Sequence, residues 1–323
     1  MCTAVSFHGK DHYFGRNLDL EYSYREEVVV TPRNYPFRFR RMGEMAHHFA
    51  LIGMAMIADG FPLYYEATNE CGLSMAGLNF PGNAYYPPEN ADKDNVAPFE
   101  LIPWLLGQCS TVEEVRALLR RVNPVRIDFS AALPLSPLHW MISDREESIV
   151  VEPMQDGLRI YDNPVDVMTN NPPFDYHLYH LQNYMHLTTG DPDGHFVPDR
   201  MVRPYSRGMG AIGLPGDLSS ASRFVRAVFT ARNAVPGETE AESVSQFFHI
   251  LESVSQTLGC VQVGEKLEQT VYSCCCNTDR GIYYYTTYFN RQITAIDLHR
   301  TDLNGSLLRA YPLVKTQQIR VEE

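Results

Sequence analysis

The second residue of the chain could serve as both nucleophile and base. Cys2 follows Met1 directly, and a cysteine side chain is small enough for a methionine aminopeptidase to remove Met1. The new first residue would carry a thiol beside a free α-amine, whose ordinary pKa is about 7.7–8.0. That amine could accept the proton of its own thiol without a histidine. The pattern predicts an N-terminal cysteine that attacks an amide and leaves through a thioester. The alternative is that cysteine at this position has no role.

An arginine and an aspartate follow on the next predicted strand. The segment FGRNLD at 14–19 places Arg16 and Asp19 on a short strand joined to the first by a turn around Gly9. An arginine beside a thiol favours the thiolate, and an aspartate could hold the α-ammonium group. The alternative is an exposed Arg/Asp pair worth under about 1 kcal/mol.

The composition excludes several classes of partner. The chain has 323 residues with 27 Lys and Arg against 39 Asp and Glu, so its net charge of −12 disfavours nucleic acid and anionic membranes. No apolar run is long enough to span a bilayer, and the start does not resemble a signal peptide. The seven cysteines lack the spacing of a disulfide framework. We therefore expect reduced thiols and a cytoplasmic protein.

The pattern of apolar residues predicts an α+β fold in which strands from both ends enclose central helices. Because no linker or change of composition divides the chain, we expect a single domain over 1–323 with antiparallel sheets covered by helices. The predicted strands are 2–7, 12–17, 26–31, 49–58, 62–68, 72–80, 138–144, 148–153, 158–162, 270–277, 280–289 and 293–298. The predicted helices are 97–109, kinked or bounded by its proline, 110–122 with a capping box, 174–185, 220–234 and 241–256.

The remaining polar clusters do not predict a metal or nucleotide site. His177 and His180 share a helix face at a spacing that could bind a metal, but the neighbouring tyrosines indicate an ordinary amphipathic face. Three consecutive cysteines at 274–276 would point to alternate sides of a strand and could not ligate one metal together. The chain contains no P-loop, GxGxxG or HExxH motif. We expect no metal or organic cofactor.

Motifs along nearly the whole chain resemble the choloylglycine hydrolase family, which contains bile salt hydrolases and penicillin V acylases. They are, in order, MCTAVSF, HYFGRNLDLEYSY, TNECGLSMAGLNFPG, APFELIPWLLGQCSTVEEV, LPLSPLHWMISD, SIVVEP, VMTNNPPFDYHL, IGLPGDLSSASRFVRA and SCCCNTDRGIYYYTTY. The resemblance implies the four-layer αββα sandwich of N-terminal-nucleophile hydrolases, with two antiparallel sheets face to face.

The resemblance also implies a set of catalytic residues. Asn79 would offer its backbone N–H, and Asn170 its side-chain amide, to the oxyanion. Considered alone, both asparagines could equally serve turns, and Asn171 is an adjacent rival that the family motif disfavours. The complete implied set is Cys2, Arg16, Asp19, Asn79, Asn170 and Arg223.

The implied substrates are glycine- and taurine-conjugated bile salts, whose steroid needs an apolar cleft. Core packing is the alternative role of the five residues implied to form that cleft. A penicillin V acylase with the same catalytic residues is the close rival, and a non-catalytic ligand-binding relative is the rival from another class. Family resemblance suggests a homotetramer, whereas the preference for glycine or taurine stays open. The implied cleft residues are Leu18, Tyr65, Phe129, Leu133 and Leu138.

Overall fold

The computed structural model describes residues 1–192 and 203–322. Its helices are α1 (Leu101–Leu106), α2 (Val112–Leu119), α3 (Phe174–Leu181), α4 (Ser220–Asn233) and α5 (Glu240–Glu252). Short 3₁₀ turns lie at Pro98–Glu100, Gln182–Tyr184, Met209–Ala211 and Leu298–Arg300. The strands are β1 (Cys2–His8), β2 (His12–Leu20), β3 (Glu27–Thr31), β4 (Phe37–Phe39), β5 (Gly43–Met45), β6 (Leu51–Ala58), β7 (Phe61–Asn69), β8 (Ser74–Asn79), β9 (Asp94–Val96), β10 (Val122–Pro124), β11 (Leu138–Ser143), β12 (Ser148–Met154), β13 (Gly157–Asp162), β14 (Val167–Met168), β15 (Val261–Val263), β16 (Lys266–Asn277), β17 (Ile282–Thr287), β18 (Asn290–Asp297) and β19 (Arg309–Pro312).

Two large antiparallel sheets organise these elements. The first sheet has the order β14-β1-β2-β16-β17-β18, with β15 paired to β16. The second has the order β13-β12-β11-β8-β7-β6-β3-β19. In each sheet, strands from the N-terminal third pair directly with strands from the C-terminal part, as β2 does with β16 and β3 with β19. The two ends of the chain are therefore held in the same sheets.

The side chains of β3 show how the layers stack. Val28 and Val30 pack in the core that also contains Cys2, whereas Val29 between them packs in a second core with α1 and α2. Successive strand residues point to opposite faces, so the second sheet lies between the first sheet and these two helices. Helices α4 and α5 cover the other face of the first sheet. The expected αββα sandwich is confirmed.

The helix starts follow the capping chemistry. The side chain of Thr111 accepts a hydrogen bond from the backbone of Glu114, as expected of the N-cap of α2. The carboxylate of Glu114 accepts the backbone N–H of Ser110, one residue before the N-cap, so the predicted reciprocal capping box is only half formed. Pro103 neither kinks nor ends its helix. It is the third residue of α1. The N–H groups in the first turn of a helix have no intrahelical acceptor, so the missing N–H of a proline breaks no helical hydrogen bond there.

Seven short strands were not predicted, namely β4, β5, β9, β10, β14, β15 and β19. Each has only two to four residues, too few for alternation to stand out in a sequence. Among the described residues, no helix combines the length and the apolar character needed to cross a membrane.

Candidate active site

Cys2 begins β1 at a point where the sheet is incomplete. It pairs with Leu18 of β2, and its residue is only 3% exposed. On the other side, β14 pairs with β1 only at Ala4 and Val5, so no strand lies beside Cys2 there. The side chain of Asn170, two residues beyond the end of β14, takes that place, and its Oδ1 accepts the backbone N–H of Cys2 at 2.7 Å. The nucleophile candidate is thus bound on both sides.

The structure contains Met1, so the nitrogen of Cys2 is still a peptide nitrogen. The Met1 ammonium group donates to Glu268 Oε1 at 2.7 Å and to the backbone carbonyl of Asp19. The Met1 carbonyl accepts the backbone N–H of Asp19 at 2.8 Å. Burial raises the pKa of Glu268, and the N-terminal charge opposes this. Once Met1 is removed, the Cys2 nitrogen becomes an α-amine that already faces Asn170 Oδ1.

Arg16 is buried on the same face of the first sheet as Cys2. It stands opposite Ala4 in the β1–β2 register, two residues from the partner of Cys2. Its Nη1 donates to the carbonyls of Gly77 at 2.6 Å and Tyr65 at 3.2 Å. Burial lowers the pKa of Arg16, but the nearby Cys2 and three further acidic groups outweigh burial and raise it overall. The guanidinium therefore brings a fixed positive charge to the thiol.

Arg223 reaches the same centre from α4. Its Nη1 donates to the Cys2 carbonyl at 2.5 Å and to Thr3 Oγ1 at 2.7 Å, and its Nη2 donates to Asn170 Oδ1 at 2.9 Å. Burial lowers the pKa of Arg223, while Asp19 and Cys2 oppose that effect. Arg223 lies in the first turn of α4, which begins at an N-cap: the side chain of Ser219 accepts the backbone N–H of Ser222.

Asn170 also contacts the second sheet. Its Nδ2 donates to the carbonyl of Asn79 at 2.7 Å. Phe80 donates its N–H to the Pro137 carbonyl, so the neighbouring pair of Asn79 and Leu138 is a non-hydrogen-bonded pair. The N–H and carbonyl of Asn79 consequently point away from β11, toward Asn170. One amide hydrogen of Asn170 remains for another acceptor, since the group carries two.

The rival asparagine lies elsewhere. Asn171 accepts a hydrogen bond from Asn83 at 2.8 Å and donates to the Pro81 carbonyl at 2.6 Å. Its amide is thus occupied by the loop that follows β8 rather than by Cys2. The structure brings Asn170, and not Asn171, to the thiol.

Asp19 lies in the same region, but its carboxylate does not contact the N-terminus. Its Oδ1 accepts the hydroxyl of Thr270 at 2.6 Å. Its Oδ2 is buried and has no hydrogen-bond partner among the described residues. Burial raises the pKa of Asp19, and Arg223 and the N-terminal charge oppose this. In this Met1-containing form the backbone carbonyl of Asp19 accepts a hydrogen bond from the Met1 ammonium group. The expected contact between the Asp19 carboxylate and the ammonium group of Cys2 stays a prediction.

The five candidate cleft residues separate into two pairs and a single residue. Leu18 and Tyr65 pack in the core that contains Cys2. Phe129 and Leu138 pack against the second core instead, with the ring of Phe129 5.3 Å from that of Phe99. Leu133 is half-buried and forms a tight turn with Ser130, each accepting the backbone N–H of the other. Leu18 is therefore the candidate nearest Cys2, while Phe129 has a packing role that the sequence left open.

Several functional neighbours were not predicted. Glu66 on β7 and Tyr272 on β16 meet between the sheets, where the tyrosine donates to the carboxylate at 2.6 Å. Glu268 and Thr270, on β16, flank the N-terminus and Asp19. The one available signal for Glu66 was that it is the single carboxylate in the predicted strand at 62–68. Glu268 lies outside the predicted strand at 270–277, so no sequence signal pointed to it.

The alternative metal site is not assembled in the described part of the chain. His177 is buried, its Nε2 lies 2.9 Å from the Asn170 carbonyl, and its ring stacks on Phe224. His180 stacks on Tyr176 instead. Within residues 1–192 and 203–322, no three histidine, cysteine or acidic side chains cluster as metal ligands would. His177 supports Asn170 from behind.

Comparison with known proteins agrees with this geometry. Residues 2–311 match the model of the linear amide C–N hydrolases of the choloylglycine hydrolase family. The chain is 53% identical over 314 residues to a bile salt hydrolase/transferase of Lactiplantibacillus plantarum, covering 97% of each protein. It is 38% identical to one of Clostridium perfringens, covering 99% of each. A crystal structure of the C2A mutant of conjugated bile acid hydrolase from Clostridium perfringens superimposes with a TM-score of 0.93 at 36% identity, over 100% of both chains.

A more distant structure shares the fold. Penicillin V acylase from Agrobacterium tumefaciens superimposes with a TM-score of 0.76 at 19% identity, covering 98% of this chain and 92% of that one. The match to the family model covers nearly all of the chain, and the two relatives named above match over 97% and 99% of their lengths. This chain belongs to the choloylglycine hydrolase family of linear amide C–N hydrolases.

Proposed function

We propose that this protein is a bile salt hydrolase that cleaves the amide bond of glycine- and taurine-conjugated bile salts. The observation that carries the proposal is the 53% identity, over nearly the full length, to a protein named bile salt hydrolase/transferase. The geometry around Cys2 supports it, because this buried residue shares a face of the sheet with Arg16, accepts a hydrogen bond from Arg223 at its carbonyl and donates its backbone N–H to Asn170. No metal or organic cofactor enters the proposed reaction.

The proposed first half-reaction forms a thioester. The α-amine of Cys2 takes the thiol proton, and the sulfur attacks the scissile carbonyl carbon. The oxyanion accepts hydrogen bonds from the backbone N–H of Asn79 and the remaining amide hydrogen of Asn170, and each such donor is worth roughly 2.7–4 kcal/mol. The protonated amine then gives its proton to the leaving nitrogen as the C–N bond breaks. Arg16 and Arg223 stabilise the negative charge in this centre.

The second half-reaction releases the bile acid. Water gives a proton to the α-amine and attacks the thioester carbonyl, and the C–S bond breaks as the sulfur recovers that proton. Asp19 would hold the protonated amine once Met1 is gone. Its buried Oδ2, which has no partner among the described residues, is available for this contact.

The steroid would lie in an apolar cleft that begins at Leu18 beside Cys2 and continues past Tyr65. The residues assigned to its outer part are Phe129, Leu133 and Leu138. Phe129 and Leu138 would present only the part of their surface that the second core leaves exposed, because both are half-buried against it.

We further propose a single domain over 1–323, removal of Met1, a cytoplasmic location with reduced thiols, and a homotetramer. The seven cysteines are all free, which supports the reduced state.

Turnover of glycocholate, taurocholate and penicillin V by the same preparation tests the substrate class. We expect kcat/KM for the conjugated bile salts to exceed that for penicillin V at least about tenfold, which corresponds to about 1.4 kcal/mol of transition-state binding. A steroid buries more apolar area than a phenoxymethyl group, at about 25 cal/mol per Å². The Cys2→Ala variant is the control for contaminating hydrolase. Equal or faster turnover of penicillin V would assign the protein to the acylases.

A further inference from the structure

A buried carboxylate lies behind Arg16, on the strand facing it from the other sheet. Glu66 is 2% exposed, and its Oε2 is 3.8 Å from Arg16 Nε. At that separation the two groups interact as charges, without a direct hydrogen bond. The Nε and Nη1 donors of Arg16 bind backbone carbonyls instead. Glu66 therefore balances the charge of the guanidinium but does not fix its hydrogen bonds.

The carboxylate is held in place by three donors from the first sheet. Tyr272 donates to Oε2 and Tyr283 to Oε1, both at 2.6 Å, and the thiol of Cys274 lies 3.5 Å from Oε1. Burial raises the pKa of Glu66 overall, although Arg16, both tyrosine hydroxyls and the Cys274 thiol act against burial. Two short hydroxyl bonds and a neighbouring guanidinium are contacts that favour the ionised form of the carboxylate.

Arg16 has one donor with no partner among the described residues. Its Nη2 is buried and makes no hydrogen bond there. Cys2 shares the face of the sheet on which Arg16 lies, and among the groups that raise the pKa of Arg16 it acts most strongly. The guanidinium is thus shared between two acidic groups, Cys2 on one side and Glu66 on the other.

We propose that Glu66 is a positioning residue that acts through Arg16 and sets how strongly this arginine favours the thiolate of Cys2. The inference rests on the proposed role of Cys2 as nucleophile. With the charge of Glu66 present, the positive field of Arg16 at the sulfur is partly cancelled, and removal of the thiol proton is left to the α-amine. Without that charge, Arg16 would stabilise the thiolate in the resting state, and the nucleophilicity of the sulfur would fall with its pKa.

The first test measures alkylation of Cys2 by iodoacetamide against pH, with the modified residue identified by mass spectrometry. We expect Glu66→Gln, which removes the charge and keeps the size, to move the midpoint about one pH unit lower. We expect kcat/KM for glycocholate to fall about threefold, mainly through kcat, because the nucleophilicity of a thiolate falls by about 0.4–0.5 log units per unit of pKa. Glu66→Asp retains the charge and should keep the midpoint within about 0.3 units of the parent protein, an interval far below the roughly one-unit effect of a neighbouring charge.

The matched control is Glu152→Gln. Glu152 is as deeply buried as Glu66, but its Oε1 binds His139 and the backbone of Phe174 rather than Arg16. We expect this variant to lose stability without moving the alkylation midpoint. The inference is overturned if the alkylation midpoint of Glu66→Gln is unchanged or higher than that of the parent protein. It is also overturned if Glu152→Gln lowers the midpoint by the same amount. Because alkylation needs no substrate, these results stand apart from whether bile salts are turned over.

A double variant decides the matter if Glu66→Gln does not fold. Removing one partner of a buried ion pair is strongly destabilising, whereas replacing both is often close to neutral. We therefore expect Arg16→Met combined with Glu66→Gln to be at least as stable to urea as Arg16→Met alone, because both lose the Arg16 donors and only the single variant leaves the charge of Glu66 unpaired. If the double variant is less stable than Arg16→Met, Glu66 is not the charge partner of Arg16 and the inference is wrong.

Discussion

Changing Asn170 to aspartate would separate the two roles of this side chain. The substitution keeps the oxygen that accepts from the Cys2 nitrogen at 2.7 Å and from Arg223 at 2.9 Å. It removes the Nδ2 donor to the Asn79 carbonyl and the second amide hydrogen proposed for the oxyanion. The loss of one oxyanion donor should lower kcat about 10²–10³-fold. The carbonyl left without its partner should cost about 1–3 kcal/mol of stability.

The new carboxylate should also change the pH dependence. A negative charge next to the α-amine favours the ammonium form and raises the pKa of the amine. Because the free amine is the proposed base, the acid limb of the kcat/KM profile should move to higher pH. Arg223 faces the same oxygen and would limit the shift to about one unit. Asn170→Ala, which brings no charge, should lose as much activity without that shift.

The assays are stopped-flow or chromatographic hydrolysis of glycocholate from pH 4 to 9, together with urea denaturation of each variant. Asn171→Asp is the matched control, because that neighbouring amide binds Asn83 and Pro81 instead of Cys2. We expect it to keep kcat within about threefold of the parent, well inside the 10²-fold loss expected for a missing donor. If Asn170→Asp also stays within threefold and its acid limb does not move, the proposed use of this amide is refuted.

Three further expectations follow from the site and its surroundings. Intact-mass analysis should show loss of Met1 in the active enzyme, because only then is the Cys2 amine free, and full activity with Met1 retained would contradict the mechanism. Cys2→Ala should fold and hydrolyse nothing, whereas alanine at any of the other six cysteines should leave substantial activity; turnover by Cys2→Ala would reject the nucleophile. Burial lowers the pKa of His177 from its ordinary 6.5 to about 4. Between pH 6.5 and pH 4 the unfolded chain therefore binds a proton on His177 that the folded chain does not bind. About 3 kcal/mol of the free energy of unfolding should be lost as the pH falls through this range. Urea midpoints for His177→Gln should fall less steeply over this range, and a parallel decline would exclude His177 as the cause.

The sequence was most informative where contacts are local. Cys2, Arg16 and Asp19 lie on two strands joined by one turn, so the register of a single hairpin places Cys2 and Arg16 on a shared face. The long strands and the helices were likewise predicted, because each spans enough residues for its periodicity to be visible. The helix at 220–234 is an example, found as α4 over Ser220–Asn233.

The remaining parts of the site depend on pairing that no local pattern contains. Asn170 follows a two-residue strand that only the register with β1 defines. Arg223 and Glu66 arrive from a helix and from the opposite sheet, at sequence distances of about 220 and 50 residues from Cys2 and Arg16. Asn170 and Arg223 were predicted from the resemblance to a family, and the sequence pattern alone did not identify either of them as a site residue. Glu66 was predicted by neither route.

Interrupted strand pairing explains why a polar centre can exist between two apolar sheets. Strand β7 pairs with β8 only as far as Glu66 and Ala76. Beyond that point β7 offers no backbone N–H to the carbonyls of Gly77 and Asn79 on β8. Arg16 donates to the first of these carbonyls and Asn170 to the second. An unpaired buried carbonyl costs about 1–3 kcal/mol, so these side chains are needed by the fold as well as by the proposed chemistry. Both are held rigidly before any substrate arrives, and preorganised donors stabilise a transition state without reorganising at the moment of reaction.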